Sequence, residues 1–202
     1  MREATASDRD EIAHCLARAF QDDPVSQFLF PDPTARARRL PSFYASMLRF
    51  FEHMGLVQTD HQLRGAAAWL PPAANPPSKP ASKPRLRDML PTMIGMGIAL
   101  RSAWFPLSKL NAAVVPFHPR EPHWYLAIVG TDPTAQGIGV GSALIRPTLR
   151  RCDEQGILAY LESSKEANIA FYQRHDFRVT QEIEVPRGPK LWAMQREPQA
   201  PQ

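Results

Sequence analysis

The chain has 202 residues, of which 44% are hydrophobic, enough for one domain with a well-buried core. Lys and Arg number 24 against 20 for Asp and Glu, and the resulting net charge of +4 is too small and too scattered to indicate a nucleic-acid partner. The two cysteines, Cys15 and Cys152, have no paired spacing, which argues against a disulfide framework or a thiolate metal site.

The sequence also lacks the signals of export, membrane insertion and metal binding. The N-terminus turns acidic at Glu3 without an apolar segment, and the longest apolar run, near 89–100, is broken by Pro91 and two glycines. The six histidines have no spacing typical of a metal site. We therefore expect a cytoplasmic protein with no membrane segment, no metal and no nucleic-acid partner.

The N-terminal third predicts helices followed by a strand pair. After an opening strand, apolar residues recur at helical spacing over 8–20, and a longer helical pattern covers 34–53. Between them, 21–32 reads as a short apolar turn or helix. Two strands, 56–59 and 65–70, flank a polar turn and predict an antiparallel pair. The basic cluster of Arg36, Arg38 and Arg39 in the long helix predicts a solvated face.

The middle of the chain has an unusual composition. Between Pro71 and Pro84 there are six prolines in fourteen residues, which predicts a surface loop inside a single domain spanning 1–202. The segment 86–115 predicts a helical insertion, with methionines at 89, 93 and 96 on one face. Such a stripe fits core packing or an adaptable lid over a substrate pocket, and the sequence does not separate these.

The C-terminal half predicts a βαβα unit, and hence a sheet that is parallel in part. A nearly continuous apolar run over 124–130 predicts a strand that is buried on both faces. A helix begins at a glycine-rich stretch and ends near Gly156. The later predicted elements are a strand over 157–162, a helix over 167–175 and strands over 177–185 and 190–196.

The glycine-rich stretch is the most informative segment. Gly137, Gly139 and Gly141 alternate at the mouth of a helix, where unpaired main-chain N–H groups and close approach of a ligand form an anion cradle. A dinucleotide fold would need a different glycine spacing directly after the strand, although Glu162 stands where its acidic residue would be. A phosphate-binding Walker loop would need a Gly-Lys-Ser/Thr sequence, and none follows.

The pattern Gln-x-x-Gly-x-Gly, formed by Gln136, Gly139 and Gly141, resembles the pyrophosphate loop of the Gcn5-related N-acetyltransferase (GNAT) superfamily. The order of Glu162 at a strand end and Tyr172 on the next helix is also similar to that superfamily. The resemblance implies the α/β GNAT acyl-CoA N-acyltransferase fold, with a mixed central sheet flanked by helices and strands splayed around the CoA site. Over 116–200 the chain further resembles the puromycin N-acetyltransferases.

The same resemblance implies acetyl-CoA as cosubstrate and transfer of its acetyl group to a primary amine of a small molecule. That acceptor would be antibiotic-like, aminonucleoside-like or a biosynthetic intermediate, reached directly in a ternary complex. Puromycin itself is not implied, because the half that shapes the acceptor pocket is only loosely similar. A protein or carrier-bound amine and a non-catalytic acyl-CoA sensor are alternatives, and the oligomeric state and the use of longer acyl groups stay open.

Individual roles follow from the resemblance too. It implies that Tyr172 protonates the CoA sulfur, where the alternative is a packed tyrosine bonded to a carbonyl. It implies that Glu162 removes the amine proton, directly or through water, or only holds the ammonium group. Asn168 would bond the pantetheine arm or cap a helix. The residues implied to contact acetyl-CoA are Ile128, Val129, Gln136, Gly137, Ile138, Gly139, Val140, Gly141, Ser142, Asn168 and Phe171, with a main-chain N–H of Ile128 or Val129 as oxyanion donor.

Two further expectations concern the two cysteines and the turn after the last helix. Cys15 and Cys152 lie in helical patterns, which indicates small core residues rather than acyl-accepting nucleophiles. Asp176 stands where relatives usually have glycine at the end of the last helix. Because Asp tolerates the left-handed conformation better than most residues, we expect that turn to survive.

Overall fold

A computed structural model describes residues 1–72 and 103–200. Most of the predicted Pro-rich loop and the first part of the predicted insertion, including its three methionines, lie outside the described residues. The strands are β1 (Arg2–Glu3), β2 (Leu56–Thr59), β3 (Gly65–Leu70), β4 (His123–Thr131), β5 (Leu158–Ser163), β6 (Arg178–Glu184) and β7 (Lys190–Arg196). The α-helices are α1 (Arg9–Ala19), α2 (Pro24–Leu29), α3 (Pro33–Met54), α4 (Trp104–Val114), α5 (Val140–Gln155) and α6 (Ile169–Gln173).

Helices α2 and α3 both begin with an Asp-Pro pair in which the aspartate is the N-cap. The Asp23 carboxylate accepts main-chain N–H bonds from Val25 and Ser26 at the start of α2, and Asp32 accepts one from Ala35 at the start of α3. The proline at the first helical position has no N–H to satisfy, and its fixed φ suits a helix. The segment 21–32 therefore contains a genuine short helix.

The seven strands form one mixed sheet in the order β1-β2-β3-β4-β5-β7-β6. The β2–β3 pair is antiparallel, as predicted, and β4 and β5 are the only parallel neighbours in the described sheet. The mixed α/β architecture expected from the sequence is confirmed.

Helices cover both faces of the sheet. Ala66, Ala67 and Ala68 of β3 are at most 1% exposed, and such small side chains let helices approach closely from either side. Ala66 and Ala68 belong to the core cluster of α1 and α3, whereas Ala67 belongs to that of α5. The basic cluster departs from expectation, because Arg36 is 6% exposed and donates to the carbonyls of Gln21, Phe30 and Pro31. Arg36 thus ties α3 to the loops around α2.

The sheet opens between β4 and β5. The two strands pair at only three positions, from His123 opposite Leu158 to Tyr125 opposite Tyr160. Just beyond, the register of β4 against β3 shifts and leaves Ala127 without a partner. Such a bulge bends its strand, so β4 diverges from β5 and creates a gap at the centre of the sheet. Within the described ranges, no helix is long and apolar enough to cross a bilayer.

Candidate active site

The glycine loop leads directly into α5. Gly137 and Gly139 have φ values of +79° and +89°, in the region that favours glycine, and Gly139 caps the helix. The first bond closing the helix runs from the Ala143 N–H to the Gly139 carbonyl, at 3.0 Å. The main-chain N–H groups in the first turn of α5 therefore have no acceptor within the helix. They lie at the positive end of a sixteen-residue helix.

A cleft of about 400 Å³ lies over this helix start. Lys165 and Arg174 add two cations to its lining, beside the free amides. The Cβ that a side chain would add at Gly141 would lie 3.3 Å from the Phe171 ring, so this side of the cleft is kept narrow. Amide donors, a helix N-terminus and cations suit the phosphates of CoA, and a narrow channel beside Phe171 suits its unbranched arm.

Most of the predicted cofactor contacts line this cleft. They are Val129, Gln136, Gly137, Gly139, Val140, Gly141, Ser142, Asn168 and Phe171. Ile138 does not line it, because its side chain between the two left-handed glycines turns to solvent and is 67% exposed. Ile128 lines a second cavity on the other side of β4. Alternating side-chain directions along a strand account for the separation of Ile128 from Val129.

Tyr172 also lines the cleft. Its side chain is 7% exposed and packs against Phe171 and Phe177, with ring centroids 5.1 Å and 6.0 Å away. Its hydroxyl makes no hydrogen bond to any residue of 1–72 or 103–200, so the alternative of a tyrosine bonded to a carbonyl is not observed. Burial, and then the negative charge of Asp23, raise the pKa of Tyr172 well above its ordinary value. The hydroxyl therefore keeps its proton at neutral pH.

The segment before Tyr172 differs from the predicted helix over 167–175. A 3-10 turn (Glu166–Asn168) precedes α6, and the Asn168 side chain makes no capping bond to it. The cap alternative for Asn168 is therefore not observed, and its exposed side chain lines the cleft. Asp176 has a φ of +65°, and the Phe177 N–H bonds to the Tyr172 carbonyl at 3.2 Å. The left-handed turn expected at Asp176 is confirmed.

The second cavity has a volume of about 380 Å³ and contains Glu162. The Glu162 side chain is 8% exposed, and its Oε2 accepts a 2.8 Å hydrogen bond from the Tyr125 hydroxyl. The His118 Nε2 lies 3.1 Å from Oε1, an ion-pair distance, and the buried Tyr160 hydroxyl also lies beside the Glu162 carboxylate. Burial, and then the Glu162 charge, raise the pKa of Tyr125, which keeps its hydroxyl a donor.

Asp23 is a site residue that the sequence did not indicate. It is 4% exposed and, with Phe20, lines both the cleft and the second cavity. One carboxylate oxygen caps α2 and the other accepts a short hydrogen bond from the Ser164 hydroxyl, just after β5. From the sequence alone, Asp23-Pro24 predicts only a turn or the start of a helix. Its place at the junction depends on a contact across 141 positions.

Both cysteines are buried in the core. Burial raises the pKa of Cys15 to about 11 and that of Cys152 to about 12. Neither lines the cleft or the second cavity. Both thiols therefore stay protonated at neutral pH, as expected for core residues.

A splayed mixed sheet with an amide-lined cleft at the opening is the arrangement expected for an acyl-CoA-dependent acyltransferase. Residues 92–177 match the model of the acetyltransferase (GNAT) family, and this match supports the superfamily that the glycine loop resembles. An uncharacterised N-acetyltransferase of Schizosaccharomyces pombe is 29% identical over 96% of this chain and 81% of its own length. The mycothiol acetyltransferase of Paenarthrobacter aurescens is 35% identical over 36% of this chain and 24% of its own.

Solved structures agree with this assignment. A crystal structure from Corynebacterium glutamicum, described as histone acetyltransferase HPA2 and related acetyltransferase, superposes with a TM-score of 0.69. It is 26% identical, with 99% of this chain and 96% of that chain covered. An N-acetyltransferase from Staphylococcus aureus Mu50 has a TM-score of 0.61 at 15% identity over 96% and 98% of the two chains, a likeness of fold alone. The protein is therefore an acetyl-CoA-dependent acyltransferase.

Proposed function

We propose that the protein transfers the acetyl group of acetyl-CoA to a primary amine of a small molecule, directly in a ternary complex. The observation that carries this proposal is the junction of two cavities at Phe20 and Asp23. The cleft has the donors for CoA phosphates, and the second cavity has a buried carboxylate. A thioester in the first and an amine in the second would meet at this junction.

Each chemical task has a candidate group beside the junction. Acetyl-CoA, when bound, supplies an activated acyl group with a thiolate as leaving group. Glu162 takes the proton of the amine, directly or through water, and Tyr172 gives a proton to the thiolate. Main-chain N–H groups of Ile128 or Val129 donate to the developing oxyanion. The divergence of β4 from β5 beyond Tyr125 supports this last role, because it leaves that edge of β4 without β5 as a partner.

A direct route is favoured over an acyl-cysteine route. A thiol has to ionise and reach the thioester to accept an acyl group. Burial raises the pKa of both Cys15 and Cys152, and neither thiol lines a cavity. The two unpaired cysteines also suit the reducing cytoplasm, which we keep as the proposed location.

A protein amine is the second candidate acceptor. The C. glutamicum structure is described as a histone acetyltransferase, and its overall likeness to this chain supports weighing that acceptor. The size of the second cavity favours a small molecule instead, since about 380 Å³ falls within the range of about 300–1,000 Å³ that is usual for small-ligand pockets. Possible acceptors therefore include antibiotic-like or aminonucleoside-like amines and biosynthetic intermediates.

The test is a thiol-release assay with purified protein, acetyl-CoA and a panel of amines. The panel begins with an aminonucleoside and includes simple primary amines and a lysine-containing peptide. Release of CoA that depends on a small amine, with the N-acetylated product identified by mass spectrometry, is the expected result. Acetylation of the peptide alone would overturn the small-molecule proposal. CoA release that none of the amines increases would overturn N-acetyl transfer to the amines of this panel.

A further inference from the structure

We infer that the acceptor is a primary amine carried on an apolar, ring-sized body, bound in the second cavity with its nitrogen between Glu162 and Asp23. This inference rests on the proposed function and narrows it to one chemical class. It follows from two properties of the cavity: its apolar walls and its charge.

The cavity walls are apolar and rich in aromatic rings. Leu107, Leu110 and Val114 lie on one face of α4 at helical spacing and line the cavity. Phe43 and Phe50 of α3 line it as well. Walls of this kind exclude water and favour an apolar ligand by about 25 cal/mol per Å² of buried apolar surface. A sugar or a polyamine would place more polar groups in the cavity than its few hydroxyl and amide groups can pair, which belong to Ser26, Tyr44, Asn111, Tyr125 and Ser164.

The charge of the cavity is negative. Glu162 and Asp23 are its two acidic lining residues, and no lysine or arginine occurs among the described residues that line it. His118 faces Glu162 from outside the lining, at 3.1 Å. Two buried carboxylates without a fixed cation in the cavity favour a ligand that carries a positive charge. An ammonium group meets this need.

The two carboxylates line one cavity. Ser164, which donates to Asp23, lies just after β5, two positions beyond Glu162. The His118 Nε2 lies 3.1 Å from Glu162 Oε1. A carboxylate oxygen accepts more than one hydrogen bond, so an N–H group of the ligand is a further partner for Glu162.

The acceptor class is tested by comparing amines that differ in the chemical group attached to the nitrogen. We expect kcat/KM for 2-phenylethylamine to exceed that for spermidine, glucosamine and a lysine-containing peptide by at least about 100-fold, because those acceptors leave polar groups unpaired. A preference for any of these three over 2-phenylethylamine would overturn the inference while N-acetyl transfer stood. Absence of amine-dependent CoA release with the whole panel would overturn both.

A matched pair of variants on α4 tests where the ring body binds. Leu110→Trp fills the cavity, whereas Ala112→Trp adds the same ring on the exposed side of the same helix. Leu110→Trp should raise KM for 2-phenylethylamine at least about tenfold, as expected from overfilling an apolar pocket, and Ala112→Trp should not. Calorimetric affinity for acetyl-CoA should be unchanged in both, which also shows that they fold. Equal KM values in the two variants would contradict this binding site, and Leu107→Trp replaces Leu110→Trp if the latter does not fold.

A second matched pair tests the nitrogen site. Asp23→Asn removes a charge but keeps an equally good helix cap, and Asp32→Asn makes the same change at the start of α3. Asp23→Asn should weaken calorimetric binding of 2-phenylethylamine in the presence of CoA at least about tenfold, the loss expected when a charged hydrogen-bond partner is neutralised. Asp32→Asn should leave it unchanged. Wild-type binding by the Asp23→Asn variant would remove Asp23 from the site.

Discussion

Tyr172 combines a buried position with a hydroxyl that is not committed to another described group. Because burial raises its pKa, the hydroxyl stays protonated through neutral and moderately alkaline pH. Tyr172→Phe removes only the oxygen. The single-turnover rate should fall by about 10²–10⁴-fold if general acid catalysis is lost, while acetyl-CoA affinity changes little.

The matched control is Tyr44→Phe. Tyr44 is another buried tyrosine, which lines the second cavity but not the cleft, so its loss should not change the proton transfer to the thiolate. Rapid-quench measurement with both acetyl-CoA and the best acceptor saturating compares the two variants, so that a change in acceptor affinity in Tyr44→Phe does not enter the rate. A wild-type single-turnover rate in Tyr172→Phe would leave this residue a packing group.

Glu162 is expected to act on the protonated form of the acceptor. Glu162→Gln should slow turnover mainly at neutral and lower pH, where the amine is largely protonated, and higher pH should partly restore the rate. A pH profile of kcat/KM for wild type and variant measures this.

Glu154→Gln is the control for Glu162→Gln, since Glu154 is an exposed residue of α5 and lines neither cavity. Its profile should match that of wild type. If the Glu162→Gln profile ran parallel to wild type without loss of rate, Glu162 would have no part in proton removal.

Helix α5 is bracketed by glycines in the left-handed conformation, Gly139 at its start and Gly156 at its end. An added Cβ would meet no described protein atom within 4 Å at either position, so the cost comes from backbone strain. Gly139→Ala and Gly156→Ala should each destabilise the protein by about 1–2 kcal/mol. Only Gly139 lines the cleft, so only its variant should also weaken acetyl-CoA binding.

Thermal unfolding and calorimetry separate these two effects. Both variants should show a similar fall in Tm, of about 2–8 °C for a chain of this size. The Gly139→Ala variant alone should lose affinity for acetyl-CoA, because its methyl group stands where the ligand approaches the main chain. Unchanged affinity in a folded Gly139→Ala variant would argue against the phosphate role of the loop.

The sheet joins the two halves of the molecule. Every residue of β3 pairs with β4, and Thr148 of α5 donates a 3.0 Å hydrogen bond to Gln58 of β2. The single domain predicted from the sequence should therefore unfold in one cooperative transition. Because the cleft is built from β4, α5 and α6 together, acetyl-CoA should stabilise the whole fold rather than one part of it.

Scanning calorimetry with and without acetyl-CoA tests this cooperativity. At 100 times its Kd, a ligand that binds only the folded state adds about 2.7 kcal/mol, or about 5–11 °C in Tm for a chain of this size. CoA without the acetyl group serves as the matched ligand, since it shares the phosphates. Two separate transitions, with only one moved by the ligand, would contradict the single domain.

The local sequence was enough to predict the type and order of the described elements. Apolar periodicity, capping residues and glycines act over a few neighbouring positions, so 56–59, 65–70 and 190–196 were predicted with the bounds that the structure shows. The alternating glycines likewise indicated an anion cradle, and the resemblance that they carried led to the GNAT superfamily, now confirmed. The closer likeness to puromycin N-acetyltransferases stays a prediction.

Local sequence patterns could not predict the contacts between distant parts of the chain. The bulge at Ala127 depends on how β3 and β4 pair, and Arg36 is buried because the loops around α2 fold back onto α3. Asp23 lies at the junction of the two cavities, where it binds Ser164, which follows it by 141 positions. A hydrogen bond or a strand register is a relation between two segments, and the periodicity of either segment alone contains no information about its partner.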